Sequence, residues 1–282
     1  MPIILRRTVT ETYLERVRTT PARVGFRFKP TYPAAGPVGR WKEVTYREFD
    51  EECRRISFGL MGLGVKPKDR VAILANTRIE WAMSEMAILA AGAITVPIYG
   101  SSTPADCVYI LNHCEVKAVI VENAKQLTKL LDQRAELKFL EQIIVIEPVP
   151  ANLATANPDV LDFEGLKAIG SKEDALDPSR YEKNLLAAQP NDLITICYTS
   201  GTTGLPKGVM LTHANMVSVL EDAVKELHSY VLPEQEVFVA FLPFSHVIGK
   251  LESIAAYTFG YQECYAESFD KLIQAMADSR PT

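Results

Sequence analysis

The sequence predicts an α/β fold: a doubly wound, mostly parallel β-sheet with helices on both faces. Two observations support this fold class. Short apolar runs rich in Val and Ile alternate with amphipathic segments of helical period along residues 71–146. Such alternation with short connections is typical of parallel sheets covered by helices. With 282 residues, 48% of them hydrophobic, the chain is also long enough to bury a sizeable core.

The first part of the chain is predicted to be irregular as far as residue 40, apart from an alternating run at Val24–Phe28 that is typical of an edge strand. Thr45–Glu48 has the pattern of a capping box, in which the Thr and Glu side chains satisfy each other's backbone N–H groups. In the helix after it, apolar residues recur every three or four positions, and glycines at 62 and 64 end it. Its predicted apolar face consists of Phe49, Cys53, Ile56, Leu60 and Leu63.

Four buried strands follow, with a helix after each of the first three. The predicted strands are Val71–Ala75, Ala93–Ile98, Lys117–Val121 and Ile143–Ile146. The first of these helices is expected to begin with Thr77 and Glu80 as caps, and the second at Thr103-Pro104, because proline suits the first helical position. The third covers residues 124–134. No G-x-G-x-x-G motif is present, so a Rossmann dinucleotide site has little support.

Residues 148–190 are rich in proline, and we expect a surface connection there with one short helix near residues 163–169. This connection would divide a first α/β subdomain, residues 1–147, from a second, residues 191–282. The second is predicted to hold strands at 193–197, 208–211 and 238–242, and helices from Thr212 and over Val247–Phe259.

Composition and charge exclude several classes of function. A net charge of −5 does not suit nucleic-acid binding. Five cysteines without C-x-x-C spacing indicate reduced thiols, with neither a disulfide framework nor a zinc site. The longest apolar stretch, Met86–Tyr99, is shorter than the roughly 20 residues of a membrane span, and the N-terminus lacks the features of a signal peptide. We expect a location in the cytoplasm or at the inner surface of a membrane, with peripheral association left open.

The most informative stretch is Tyr198–Gly208, which connects two predicted strands and is rich in glycine, serine and threonine. Glycines let several backbone N–H groups point into one concavity, hydroxyls add donors, and Lys207 adds a positive charge, so the segment suits the oxygens of a polyphosphate. It is not the P-loop of NTPases, because Lys207 is followed by Gly208 and not by Ser or Thr. The alternative is a polar hairpin turn without a ligand.

This string closely resembles the ATP-binding signature of the adenylate-forming superfamily, which includes acyl-CoA synthetases, firefly-luciferase-like enzymes and peptide-synthetase adenylation domains. The resemblance extends from about residue 45 to residue 282. Further matching segments are Thr45–Glu48, Gly64–Ile73, Asn76 with Glu80-Trp81, and Ala90–Ala93 with Val96-Pro97. Lys68 stands where the family frequently has glycine. We expect these further segments, including Trp81, to be structural.

The resemblance implies that a carboxylate attacks the α-phosphorus of ATP, giving an acyl-adenylate and pyrophosphate. It assigns the triphosphate to the loop, with Lys207 stabilising the leaving phosphates. A loop hydroxyl would contact Mg²⁺; the sequence leaves open which one, and Thr202 is our assignment. The residues assigned to ATP are Thr199, Ser200, Gly201, Thr202, Thr203, Gly204 and Lys207.

His246 is the second candidate catalytic residue. A lone histidine beside an apolar strand is usually a core residue with satisfied hydrogen bonds. The string Leu242–Val247, however, resembles the superfamily's Leu-Pro-x-x-His signature, whose histidine lines the carboxylate and adenylate pocket. Phe244 and Val247 would then be walls of that pocket, and Lys250 would keep a basic role where long-chain synthetases often have Arg. His113, His213 and His228 have no partners at metal-ligand spacing in the sequence.

The resemblance therefore implies a long-chain fatty acid–CoA ligase that uses ATP, Mg²⁺ and coenzyme A. The family's adenine motif, hinge and small C-terminal lid domain have no counterpart in this sequence. We therefore expect an incomplete large N-terminal domain of the acyl-CoA synthetase fold that is inactive alone. The alternatives are an acyl-AMP ligase, a carrier-loading adenylation domain, or a non-catalytic nucleotide-binding module. The sequence does not indicate chain length of the acid, acceptor or oligomeric state.

Overall fold

A computed structural model describes residues 3–150, 153, 156–199, 204–227, 236–266 and 268–282. Within these residues the strands form a seven-stranded sheet, in the order β7-β6-β5-β3-β4-β8-β9, and a four-stranded sheet, in the order β10-β11-β1-β2. The strands are β1 Val24–Phe28, β2 Lys42–Thr45, β3 Arg70–Leu74, β4 Ile94–Ile98, β5 Ala118–Val121, β6 Gln142–Val145, β7 Val160–Asp162, β8 Leu193–Thr199, β9 Lys207–Thr212, β10 Val237–Ala240 and β11 Gln262–Tyr265. Neighbouring strands are parallel except for the pairs β8–β9 and β1–β2, which confirms the predicted fold class.

Helices lie on both faces of the seven-stranded sheet, and the last helix packs against β10 and β11 of the other sheet. The helices are α1 Val9–Thr19, α2 Tyr46–Gly62, α3 Ile79–Ala90, α4 Pro104–His113, α5 Ala124–Leu131, α6 Phe163–Leu176, α7 Arg180–Ala187, α8 His213–Leu227, α9 Val247–Phe259 and α10 Leu272–Ser279. Helices α4 and α5 pack on one face, while α2 and α3 pack on the other, in a core that also reaches β1 and α9. No helix within the described residues is both long and apolar enough to cross a membrane.

The central strands are buried on both faces, as expected for a parallel sheet between two helical layers. In β3, Val71 and Ile73 belong to the core shared with α2 and α3, whereas Ala72 and Leu74 belong to the core under α4 and α5. Successive side chains of a strand point to opposite faces, so one apolar run serves both layers. All five cysteines are buried free thiols.

The first forty residues are more regular than predicted. They contain helix α1, and β1 is an internal strand between β11 and β2, so the predicted edge position was wrong. Three threonines and Arg16 are buried in or beside α1, and they are held by hydrogen bonds rather than by apolar contact: Thr10 donates to the carbonyl of Leu185, and Arg16 donates to those of Tyr257 and Thr258. The pattern of apolar residues was therefore a poor guide to this helix.

Residues 148–190 form more structure than the predicted irregular connection. They contain β7, α6 and α7, and α6 lies against α2 with the two backbones in contact. A Cβ on Gly170 would lie 1.9 Å from the carbonyl oxygen of Arg55, and one on Gly59 would lie 2.4 Å from that of Leu166. Because β8 joins the same sheet as β3–β7, the segment does not separate two sheets.

The predicted caps of the helix after β3 were wrong. The N-cap of α3 is Arg78, which makes no side-chain capping bond. Thr77 instead donates its hydroxyl proton to the carbonyl of Leu242 at 2.7 Å, and the carboxylate of Glu80 accepts from Arg78 at 2.8 Å. Thr77 therefore joins the end of β3 to the segment after β10. Lys68 has a left-handed backbone with φ of 70°, which accounts for glycine being favoured at such a position.

Candidate functional site

The glycine-rich segment is the connection of an antiparallel hairpin. Strands β8 and β9 pair as far as Thr199 opposite Lys207, so these two residues flank the connection. Thr199, Gly204 and Lys207 are exposed, and a Cβ built on Gly204 would meet no atom within 4 Å. The assigned residues Ser200, Gly201, Thr202 and Thr203 lie outside the described residues.

Lys207 is an exposed cation at the start of β9. None of the carboxylates in the described part of the chain forms an ion pair with it. An ammonium group on a flexible stem beside a glycine-rich loop suits the recognition of phosphate oxygens as a point charge. The role of Lys207 at the triphosphate stays a prediction.

His246 is the N-cap residue of α9. Its Nδ1 accepts a hydrogen bond from the backbone N–H of Ile248 at 3.2 Å. Nε2 is then the ring nitrogen available to a ligand. The side chain is exposed and stands at the positive end of a thirteen-residue helix, a position that favours anionic partners.

Two hydroxyls hold the segment that carries His246. Ser245 is buried and donates to the carbonyl of Ile98, at the end of β4, at 3.2 Å. The Thr77 hydroxyl, which donates to Leu242, also accepts from the backbone N–H of Phe244 at 3.3 Å. The imidazole is thus fixed relative to the carboxyl ends of β3 and β4, where ligands bind in open α/β sheets.

Lys250 does not have the basic role at the site that we predicted. It is completely buried and forms an ion pair with Glu85 of α3. Its Nζ also lies 4.9 Å from the ring centroid of Trp81. A charge without water contact persists only when it is paired, so Lys250 anchors α9 to α3.

A cavity of about 540 Å³ brings the hairpin and the start of α9 together. Thr199 and His246 both line it, as does Val247, one of the predicted walls. Phe244, the other predicted wall, is buried against Trp81, and neither Gly204 nor Lys207 is among the lining residues. The complete lining is Pro97, Ile98, Tyr99, Ser102, Asp106, Ile110, Cys197, Tyr198, Thr199, Pro206, Val209, Leu211, Ser245, His246 and Val247.

A second cavity of about 500 Å³ adjoins the first, since Tyr99 and Ser245 line both. It lies where β3, β4, β10 and β11 end, and Phe241 and Phe269 contribute aromatic walls. Both volumes fall within the range of about 300–1,000 Å³ that is usual for small-molecule sites.

The sequence matches the family described as AMP-binding enzyme over residues 15–282. The chain belongs to the AMP-binding enzyme family. A long-chain-fatty-acid–CoA ligase of Mycobacterium bovis, FadD15, is 33% identical over 244 residues, which cover 86% of this chain and 38% of that protein. This chain therefore spans well under half the length of that relative.

Solved structures agree on the fold of this AMP-binding domain. The anthranilate CoA ligase AuaEII in complex with anthranoyl-AMP matches with a TM-score of 0.79 at 22% identity, over 100% of this chain and 49% of that chain. A long-chain-fatty-acid-CoA ligase, FadD1, from Archaeoglobus fulgidus matches with a TM-score of 0.79 at 17% identity, over 100% and 51%. At these identities the structures establish the fold alone, which is the N-terminal domain fold of adenylate-forming enzymes.

Sequence reasoning missed part of the site of this AMP-binding domain. Tyr99, Ser102, Asp106 and Ile110 line the first cavity but belong to no string that we singled out for chemistry. The signal was nevertheless available, because ligands of α/β sheets bind beyond the carboxyl ends of strands and Tyr99 directly follows β4.

A magnesium ion has no ready-made cage in the described part of this AMP-binding domain, where no group of three or more His, Cys, Asp or Glu could hold a metal. Asp106 lines the cavity, yet its carboxylate accepts from Thr103 in the capping box of α4. Mg²⁺ commonly binds through substrate phosphates and only one or two protein ligands. The residues present therefore fit an ion that arrives with a polyphosphate.

Proposed function

We propose that this chain provides the triphosphate and carboxylate sites of an ATP-dependent enzyme that converts a fatty acid to acyl-AMP and then to acyl-CoA. The observation that carries the proposal is the first cavity, in which Thr199 at the end of the hairpin and His246 at the start of α9 face one space. The name of the M. bovis relative, a long-chain-fatty-acid–CoA ligase, supports a fatty acid as the substrate class.

The hairpin would hold the triphosphate. A carboxylate oxygen attacks the α-phosphorus, the bond from that phosphorus to the bridging oxygen breaks, and pyrophosphate leaves with its charge. Donors fixed around the leaving group stabilise that charge. We assign this role to Lys207 and to the loop from Thr199 to Gly204, with Thr202 as the hydroxyl that contacts Mg²⁺.

His246 would orient the carboxylate. With Nδ1 occupied by the N–H of Ile248, Nε2 can donate to a carboxylate or adenylate oxygen while the start of α9 adds its positive dipole. Ile98, Val209 and Val247 supply apolar walls nearby, which suits an aliphatic acid. Coenzyme A would accept the acyl group in the second step, and we assign none of the described residues to it.

Calorimetric titration of the 282-residue chain with pyrophosphate, with ATP and with a non-hydrolysable fatty acyl-adenylate analogue tests the proposal. Lys207→Ala should lower the affinity for pyrophosphate and for ATP by about tenfold or more, since a hydrogen bond to a charged group contributes about 1.5–3 kcal/mol. His246→Ala should lower the affinity for the adenylate analogue and leave the affinity for pyrophosphate unchanged.

The matched control for the first variant is Lys225→Ala, which removes an exposed lysine of α8 that pairs with Asp222 and should change no affinity. Wild-type chain that binds neither pyrophosphate nor ATP at millimolar concentration would contradict the proposal. So would a Lys207→Ala variant with wild-type affinities.

A further inference from the structure

Tyr198, the residue directly before Thr199, is held by helix α4. Its hydroxyl lies 2.5 Å from Nδ1 of His113, the last residue of that helix, and 3.2 Å from Sγ of Cys114. From the sequence alone, His113 had no partner. The fold supplies one that is 85 residues away in the chain, at the base of the glycine-rich loop.

The Tyr198 ring is also enclosed on two sides. The rings of Tyr109 and Tyr198 pack edge to face, with their centroids 6.2 Å apart. The Tyr109 ring also stacks on the His113 ring, with centroids 5.3 Å apart. In the hairpin Tyr198 pairs with Gly208, and a Cβ at that glycine would lie 3.2 Å from the Tyr198 ring. The ring therefore fits between α4 and a strand that leaves room for it.

Helix α4 consequently contacts the site at both ends. Asp106 in its first turn and Ile110 in its second turn line the cavity, while His113 at its end contacts Tyr198. The anchored Tyr198 ring thus lies one residue before Thr199, which is paired with Lys207 across the hairpin.

We propose that His113 is a positioning residue for the polyphosphate site. Through the Tyr198 hydroxyl it holds the base of the hairpin, so that Thr199 and Lys207 flank the loop at a constant separation. This inference rests on the proposed function, because it takes the loop to bind phosphates. A ligand that the loop must hold gains affinity when the base is already ordered, since less conformational freedom is lost on binding.

The test compares His113→Phe, which keeps an aromatic ring on Tyr109 and removes the hydrogen bond, with His113→Asn, whose side-chain amide can replace Nδ1. Pyrophosphate and AMP are the probes, measured by calorimetry on the full 282-residue chain. His113→Phe should lower the affinity for pyrophosphate by about threefold to tenfold, the range expected for one hydrogen bond. The affinity for AMP should change by less than twofold, and His113→Asn should restore pyrophosphate binding.

Tyr198→Phe completes a double-mutant cycle. If the pair acts as a unit, the double variant His113→Phe with Tyr198→Phe should bind pyrophosphate about as well as either single variant. Independent, additive losses would overturn the proposal, and so would an equal loss for pyrophosphate and AMP.

Amide hydrogen exchange separates this inference from the proposed function, because it needs no ligand. In His113→Phe the amides of residues 198–199 and 207–208 should exchange about threefold to tenfold faster, with those of β3 and β5 unchanged. A chain that binds no pyrophosphate but shows this local change would refute the proposed function and keep the positioning role. Unchanged exchange at the hairpin, or faster exchange throughout the sheet, would overturn the positioning role.

Discussion

The two sides of the first cavity are built in opposite ways. On the hairpin side, the lining residues Thr199 and Val209 are exposed, and no described atom lies within 4 Å of a Cβ built on Gly204 in the adjoining loop. On the helix side, the segment that carries the imidazole is tied down by Thr77, Ser245 and Lys250. The contrast suits a site in which one reactant meets a preformed wall while a loop adjusts to the other. Substitutions at the buried ties of the helix side should therefore affect folding, and those at the exposed residues of the hairpin side should affect ligand binding.

The largest effect is expected at the buried ion pair. Lys250→Met leaves Glu85 charged, buried and unpaired, and should lower the free energy of unfolding by about 3–5 kcal/mol in urea denaturation. The double variant Lys250→Met with Glu85→Leu should recover most of that loss, because an apolar pair of similar volume often replaces a buried ion pair without penalty.

The matched control is Lys225→Met, since the Lys225–Asp222 pair is 69% and 75% exposed, against 0% and 4% for Lys250 and Glu85. It should change stability by less than about 0.5 kcal/mol. A Lys250→Met variant that lies within 1 kcal/mol of the wild-type chain would show that this wall of the cavity is not held by the pair.

The next largest effect is a pH dependence of stability that arises at the end of the hairpin opposite its glycine-rich loop. His213 begins α8 directly after β9, and its Nδ1 accepts from the backbone N–H of Val9 at 3.3 Å. Burial lowers the pKa of His213 to about 4, although Asp192 and Glu11 act to raise it. Since its pKa in the unfolded chain is near 6.5, protons bind the unfolded state first as the pH falls.

Stability should therefore be intact above pH 6.5 and should fall by up to about 3 kcal/mol between pH 6.5 and pH 4. In His213→Gln, which keeps an acceptor but cannot be protonated, that part of the loss should disappear. Stability curves that run parallel for the two proteins over this pH range would contradict the prediction. They would show that protonation of His213 does not destabilise this end of the hairpin.

Alanine substitutions at two glycines, one on each side, compare the two sides directly. A Cβ on Gly249, in the first turn of α9, would lie 2.4 Å from the carbonyl oxygen of Pro243. Gly249→Ala should therefore lower the thermal stability by an amount equivalent to about 1–3 kcal/mol, the usual cost of overpacking. Gly204→Ala has open space around it and should cost less than about 0.5 kcal/mol. Equal melting temperatures for the two variants would remove the distinction between the sides.

The smallest effect is expected at Thr77. Thr77→Val removes two hydrogen bonds, to Leu242 and from Phe244, and should cost about 1–2 kcal/mol at 0.5–1.5 kcal/mol for each bond. Thr77→Ser retains the hydroxyl and should cost less than half as much. A serine variant that is more destabilised than the valine variant in urea denaturation would show that Thr77 contributes through its methyl group and not through its hydroxyl.

The sequence predicted the central sheet well because the cause of each strand is local. A strand such as β3, buried on both faces, must be apolar throughout, and that pattern is visible in its five residues. Helix α1 was missed because its buried face includes threonines and Arg16. Its start was nevertheless visible, since the Thr8 hydroxyl accepts from the N–H of Glu11 and the pair has capping-box spacing.

The site was predictable where its residues form one continuous string and unpredictable where the fold assembles it. His246 was singled out from the segment around it, and it lines the first cavity; its role toward a carboxylate or adenylate stays a prediction. Its neighbour Lys250 was misassigned, because no local pattern shows that Glu85 lies opposite. His113 and Tyr198 likewise meet only because α4 packs beside β8. Contacts between distant segments depend on topology, which sequence spacing does not contain.

The glycine contact between α2 and α6 limits where this domain can be divided into fragments that fold. Backbones that meet at Gly59 and Gly170 leave no room for a side chain, so α6 cannot be exchanged for an arbitrary helix. A chain cut at residue 148 would lose β7 and α6 together and would expose the face of α2 that they cover. Neither piece would be an autonomous folding unit, and we expect the two to regain structure only by complementation with each other.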